Sequence, residues 1–195
     1  MTVPPTSTVY PARLQIDYPG KQRRVTVFFR GILIFPIAII SGLLGLVGFF
    51  LTGAVFVMIL FRKRYPRAWF DFLLELARFN ARFSAYALLL TDQYPSTSEE
   101  QSVHVEIDYP DAEHELNRWL PLVKWLLAFP HSFALILLDV ALYFAVVIGW
   151  FAIMFTGSFP RGLFDFVVGV TRWSLRVRVY VTLLATDRYP PFSLD

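Results

Sequence analysis

Leu14-Gln-Ile-Asp-Tyr-Pro19 returns as Val105-Glu-Ile-Asp-Tyr-Pro110, and Thr91-Asp-Gln-Tyr-Pro95 returns as Thr186-Asp-Arg-Tyr-Pro190. Between these bookends the landmarks recur in order. Phe35-Pro36 matches Phe129-Pro130, Arg30 matches Lys124, and Pro66-Arg67 with Phe70-Asp71-Phe72 matches Pro160-Arg161 with Phe164-Asp165-Phe166. Arg78, Arg82 and Tyr86 match Arg172, Arg176 and Tyr180. Ordered self-similarity of this kind marks a tandem duplication. Repeat 1 covers residues 12–95 and repeat 2 residues 102–191, joined by a polar acidic linker, 96–101. A disordered tail, 1–11, and a short closing tail, 192–195, flank them.

Each repeat opens with about six residues in which apolar and polar side chains alternate, the pattern of a half-buried strand. A lone strand is unstable, so the two are expected to pair on one membrane face. Long apolar runs follow, at residues 25–61 and 119–155. As one helix each would be roughly 55 Å long, against a hydrocarbon core of about 30 Å. Two readings fit: a helical hairpin that turns at Ser41-Gly42 and at Asp139, or an in-plane helix before Pro36 and Pro130 followed by one long kinked crossing. Lys and Arg are absent from 31–61 and 125–160, while both ends of each run are basic. Basic flanks favour the cytoplasmic side, which supports the hairpin.

The third segment of each repeat, 67–90 and 161–184, is entered through Pro66 or Pro160, residues suited to a helix start. Arg67, Asp71, Glu75, Arg78 and Arg82 fall within one helical arc of about 80°, and Arg161, Asp165, Arg172 and Arg176 repeat it. Arg178 departs from this stripe. Such a helix is either interfacial, with its arginines snorkelling to lipid phosphate, or packed in a bundle with the stripe closed by internal ion pairs. The fold class expected is thus an all-α integral membrane protein of two repeats, each a short strand, a membrane hairpin or long kinked helix, and an amphipathic helix.

Composition agrees: of 195 residues 56% are hydrophobic, and 20 Phe, 9 Tyr and 5 Trp suit a lipid–water boundary. The absence of cysteine excludes disulfides and thiol chemistry, and a net charge of +3 is too small to argue for nucleic acid. No nucleophile elbow occurs, and the histidines His104, His114 and His131 lack metal-ligand spacing. No cofactor or metal is expected. Gly42, Gly45, Gly48 and Gly53, with Ala141, Ala145 and Gly149 in repeat 2, read as helix-packing rows. Asp139 is the one acid inside an apolar run: a proton relay, a partner for Arg172 or Arg176, or a cap at the hairpin turn.

The run Met154-Phe-Thr-Gly-Ser-Phe-Pro-Arg161, followed by Phe164, Phe166, Tyr180 and Tyr189-Pro-Pro-Phe192, resembles the signature of a bacterial membrane family catalogued as domain of unknown function 4389, with a weaker version in repeat 1. The resemblance implies a tandem duplication of that unit, a multi-pass place in the bacterial cell membrane, and no known reaction. The function expected is non-enzymatic: a scaffold or accessory subunit that meets anionic lipid or a partner membrane protein through Arg67, Arg78, Arg82, Arg161, Arg172 and Arg176. The alternative is a small homo-oligomeric channel or transporter that uses Asp139.

Overall fold

The computed structural model describes residues 10–97, 99 and 101–195; the expected disorder of 1–9 lies outside them. The order is β1 (Ala12–Ile16), α1 (Arg24–Phe28), α2 (Arg30–Arg62), α3 (Arg67–Ala87), β2 (Val103–Ile107), α4 (Pro121–Leu127), α5 (Phe129–Thr156), α6 (Arg161–Arg178) and one π-helical turn, Val179–Leu183.

The strands pair as expected, antiparallel, with Leu14 opposite Val105, Ile16 opposite Val103 and Ala12 opposite Ile107. Leu14 and Val105 are the same position in the two copies, so the register is self-complementary about them. The ribbon therefore sits on a pseudo-twofold axis, like the contact of an isologous dimer. Side chains alternate across the pleat: Ala12, Leu14, Ile16, Val103, Val105 and Ile107 are buried, while Arg13, Gln15, His104 and Glu106 face outward. Each strand packs on the other copy's amphipathic helix, β1 on α6 and β2 on α3.

The hairpin expected inside each apolar run does not form. α2 is one helix of 33 residues and α5 one of 28, with Asp139 inside it rather than at a turn. The physical reason is backbone hydrogen bonding: a turn at Ser41-Gly42 or Asp139 would leave amide groups unpaired in apolar surroundings, whereas a continuous helix satisfies them. The alternative reading was closer, although the breaks fall at Phe29 and Ala128 and not at the prolines. Pro130 sits in the first turn of α5, where no amide is needed, and Pro36 lies inside α2.

Each long helix returns along its amphipathic partner. In the first copy Arg30 reaches Tyr86, Ser41 meets Asn80, and Gly48 receives the Leu76 side chain. In the second, Gly149 receives the Phe159 ring. Gln22 N donates to Gly157 O and Arg24 Nη2 to Phe155 O, so α1 packs at the end of α5, while Lys63 Nζ at the end of α2 donates to Glu113 O ahead of α4. The result is three layers: the ribbon, then α3 with α6, then α2 with α5. The last layer is apolar and largely uncovered, with Phe35, Phe49, Phe50, Phe133, Phe144 and Phe155 among its exposed side chains.

Ahead of the apolar helices the second copy is longer by three residues, Lys124 lying 14 positions after Pro110 and Arg30 11 after Pro19, and beyond the amphipathic helices it is longer by one. Tyr86 and Tyr180 are 94 positions apart, but Thr91 and Thr186 are 95 apart. The extra residue is absorbed in the π turn, a wider loop of helix that lets both ends keep their places. Leu89 and Leu184, which follow in the left-handed region at φ 64° and 55°, are again equivalent.

Candidate functional site

Two clasps close the ends of the amphipathic helices. In the first, Arg30 is 4% exposed; its Nη1 donates to Tyr86 O (2.8 Å) and Thr91 O (2.9 Å), its Nη2 to Asp92 Oδ1 (2.5 Å), and its guanidinium lies 4.3 Å from the Tyr86 ring centre. In the second, Lys124, 1% exposed, donates from Nζ to Thr186 O (2.7 Å) and forms an ion pair with Asp187 Oδ1 (2.8 Å), 4.9 Å from the Tyr180 ring. Each aspartate also accepts an entering backbone amide, Arg23 N for Asp92 and Asn117 N for Asp187. Each threonine hydroxyl accepts the amide two residues on. Burial pulls the Lys124 ammonium down from its ordinary pKa and Asp187 opposes the shift. The Thr-Asp-x-Tyr-Pro motif is thus a buried ion-pair clasp, and the Arg30–Lys124 match was its sequence signal.

The six arginines assigned to lipid divide into two groups. Arg67 and Arg161, at the helix starts, are exposed; each guanidinium lies over the exchanged tyrosine of the other copy, Arg67 at 4.6 Å from Tyr109 and Arg161 at 4.9 Å from Tyr18. The other four are half-buried and bound to backbone. Arg78 Nε donates to Val105 O (3.2 Å) and Arg172 Nε to Leu14 O (3.1 Å), stapling the strands at the axis. Arg82 donates to Ser96 O, and Arg172 and Arg176 reach the carbonyls of Leu194, Ser193 and Asp195. Two ion pairs expected within the stripe are present, Arg67 with Asp71 and Arg78 with Glu75. The closing tail is docked: Phe192 stacks on the buried His131 at 3.9 Å, and Trp173 Nε1 donates to His131 Nδ1.

Asp139 is exposed on α5, and the arginine whose charge it acts on is Arg178, not Arg172 or Arg176. Arg178 lies on the opposite side of α6 from the stripe and lines a cavity of about 460 Å³ between α2, α3 and α6. Gly45, Gly48, Phe49 and Thr52 form one wall, Leu76, Ala77, Asn80 and Ser84 another, and Thr171, Leu175, Val181 and Thr182 the third, with Leu14 above. Among the described residues no cluster of His, Asp and Glu is placed to hold a metal ion.

The family model described as Domain of unknown function (DUF4389) matches the chain twice, over residues 24–98 and 119–193, which leaves both strands outside the matches. Neither a curated protein nor a solved structure matches it. α2 and α5 are each long and apolar enough to cross a membrane.

Proposed function

We propose that this chain, which belongs to the DUF4389 family, is a non-enzymatic protein of the bacterial cell membrane that gathers anionic lipid, or a partner membrane protein, around an embedded apolar layer. The observation that carries the reading is the layering: an uncovered apolar pair, α2 and α5, lies opposite a charged ribbon, and each apolar segment has basic side chains at both ends. Lys21, Arg23 and Arg24 stand exposed before α2, and Arg62 and Arg64 after it.

Seating follows from the same layering. If α2 and α5 stood along the membrane normal, Arg13, Glu106 and Asp108 of the ribbon would lie at bilayer depth, each costing on the order of 3 kcal/mol. With the pseudo-twofold axis along the normal, the ribbon faces water, and α3 and α6 lie at the headgroups. α2 and α5 are then one helix spacing deeper, about 8–10 Å, inside a leaflet of roughly 15 Å. Both ends of each apolar helix then meet the cytoplasmic interface, as their charge favours, without the turn expected from the sequence.

The absence of cysteine gives a clean background for the test. Single variants Gln15→Cys, Lys21→Cys and Arg64→Cys in proteoliposomes should all react with an impermeant maleimide from one side. Labelling of positions 21 and 64 from opposite sides would establish a crossing helix and overturn the seating. Retention of phosphatidylglycerol over phosphatidylcholine should fall on the order of tenfold in the Arg62→Gln/Arg64→Gln double variant; unchanged retention would overturn the lipid reading. The second reading, an oligomeric channel, draws on the exposure of Asp139; it requires ion flux in proteoliposomes that Asp139→Asn abolishes.

A further inference from the structure

We propose that the cavity between α2, α3 and α6 binds a single acyl chain ending in an anionic headgroup, which Arg178 holds. This site is distinct from the basic helix ends and does not depend on how the protein sits in the membrane.

The lining supplies both halves of the recognition. Leu73, Leu76, Leu175 and Phe49 offer apolar walls, and Asn80, Ser84, Thr171 and Thr182 add a few hydroxyl and amide groups. The volume, about 460 Å³, falls within the roughly 300–1,000 Å³ of small-molecule sites. Arg178 differs from its neighbours in α6: Arg172 and Arg176 are spent on backbone carbonyls, whereas the Arg178 guanidinium donates no hydrogen bond to a described group. Asp139 supplies a compensating charge but makes no ion pair with it within 4.0 Å. A guanidinium on the apolar side of a helix, with its donors open, calls for a carboxylate or phosphate oxygen.

The second observation is that the pseudo-symmetry fails here. The strand staples, the tyrosine–arginine stacks and the clasps all occur twice, whereas the cavity is walled by α2 of the first copy and by no residue of its counterpart α5. In the second copy Asp139 stands at the position of Gly45, Leu142 at that of Gly48, Val146 at that of Thr52 and Arg178 at that of Ser84. The inserted residue of the π turn lies in the same wall and brings Val181 and Thr182 to the cavity. Single-residue π turns of this kind recur at functional sites.

The anion has two possible sources, a free fatty acid or an acidic phospholipid, and competition separates them. Purified full-length chain in a non-ionic detergent is loaded with a fluorescent fatty acid, which is displaced by oleate, oleyl alcohol or dioleoyl phosphatidylglycerol. Oleate should outcompete oleyl alcohol by about tenfold, the worth of one charge-assisted contact. Arg178→Met should erase that preference and Arg178→Lys retain it. Gly45 has open space around it, so Gly45→Leu should fold normally and weaken both oleyl ligands alike. Stronger displacement by phosphatidylglycerol than by oleate assigns the anion to phospholipid, and the reverse order to free fatty acid. Equal displacement by oleate and oleyl alcohol, or a preference that survives in folded Arg178→Met, overturns the role of Arg178. Unaltered binding in Gly45→Leu overturns the location.

Discussion

The two clasps and the two sides of the cavity make opposite uses of one duplicated sequence. At the clasps the copies keep the same geometry with different residues: Arg30 and Lys124 both reach a threonine carbonyl and an aspartate beneath a tyrosine ring. At the cavity the copies keep the same backbone with residues that differ in size and charge, and a one-residue insertion widens the turn. The contrast separates what closes the fold from what is free to specialise. A buried charge left without its partner is too costly to drift, while a helix wall facing an internal space can change without exposing any polar group.

The largest effect should come from the clasps. Lys124→Met leaves Asp187 without its cation and should cost about 3–5 kcal/mol, read as a drop in thermal stability; Lys124→Met with Asp187→Leu should recover part of the loss. Arg30→Lys, which replaces a fork reaching three oxygens with a point charge, should cost more than Lys124→Arg gains. Equal tolerance of both exchanges would break the comparison, showing that the two clasps do not depend on donor geometry.

Glycine substitutions sharpen it next. A Cβ at Gly149 meets the Phe159 ring, which is rigid and buried, whereas one at Gly48 meets the far end of the flexible Leu76 side chain. Gly149→Ala should therefore cost about 1–3 kcal/mol, and Gly48→Ala distinctly less, in chemical denaturation. Smaller still are the strand staples. Arg78→Gln and Arg172→Gln each remove one donor to the ribbon carbonyls and should cost about 1 kcal/mol apiece, nearly the same because the geometry is the same; a large inequality would show that the docked C-terminal residues, which Arg172 contacts and Arg78 does not, carry the difference.

The smallest effect is electrostatic. Exposed His114 hydrogen-bonds to Asp111, which raises the imidazole pKa above its ordinary value. A raised folded-state pKa means that the contribution is fully present below the unfolded pKa and is lost as pH rises through the folded one. An NMR titration of His114 should show its midpoint above 6.5, and Asp111→Asn should bring it back toward that value.

Much of the architecture was readable before any coordinate. The bookend motifs gave the duplication, the alternation of residues 13–18 and 103–109 gave the strands, which the structure sets at 12–16 and 103–107, and the charged arc gave α3 and α6. The hairpin reading failed because length and flanking charge cannot distinguish a turn inside an apolar run from one continuous helix; the deciding term is backbone hydrogen bonding. Arg30, Lys124, Asp92 and Asp187 were visible only as matched landmarks, since nothing in their spacing says that segments some sixty positions apart meet. His131 carried no local signal, because its partners Trp173 and Phe192 come from another helix and from the end of the chain.

By itself the sequence determined what each segment is: period two makes a strand, an uninterrupted apolar run makes a lipid-compatible helix, and a charged arc makes an amphipathic one. Only the tertiary structure decided which copy each segment serves. The strands cross over, β1 to α6 and β2 to α3, because a self-complementary edge can pair only about a twofold axis. That crossing stacks the layers, turns Arg78 and Arg172 toward strand carbonyls, and leaves Arg178 beside a space that the two copies line with different residues.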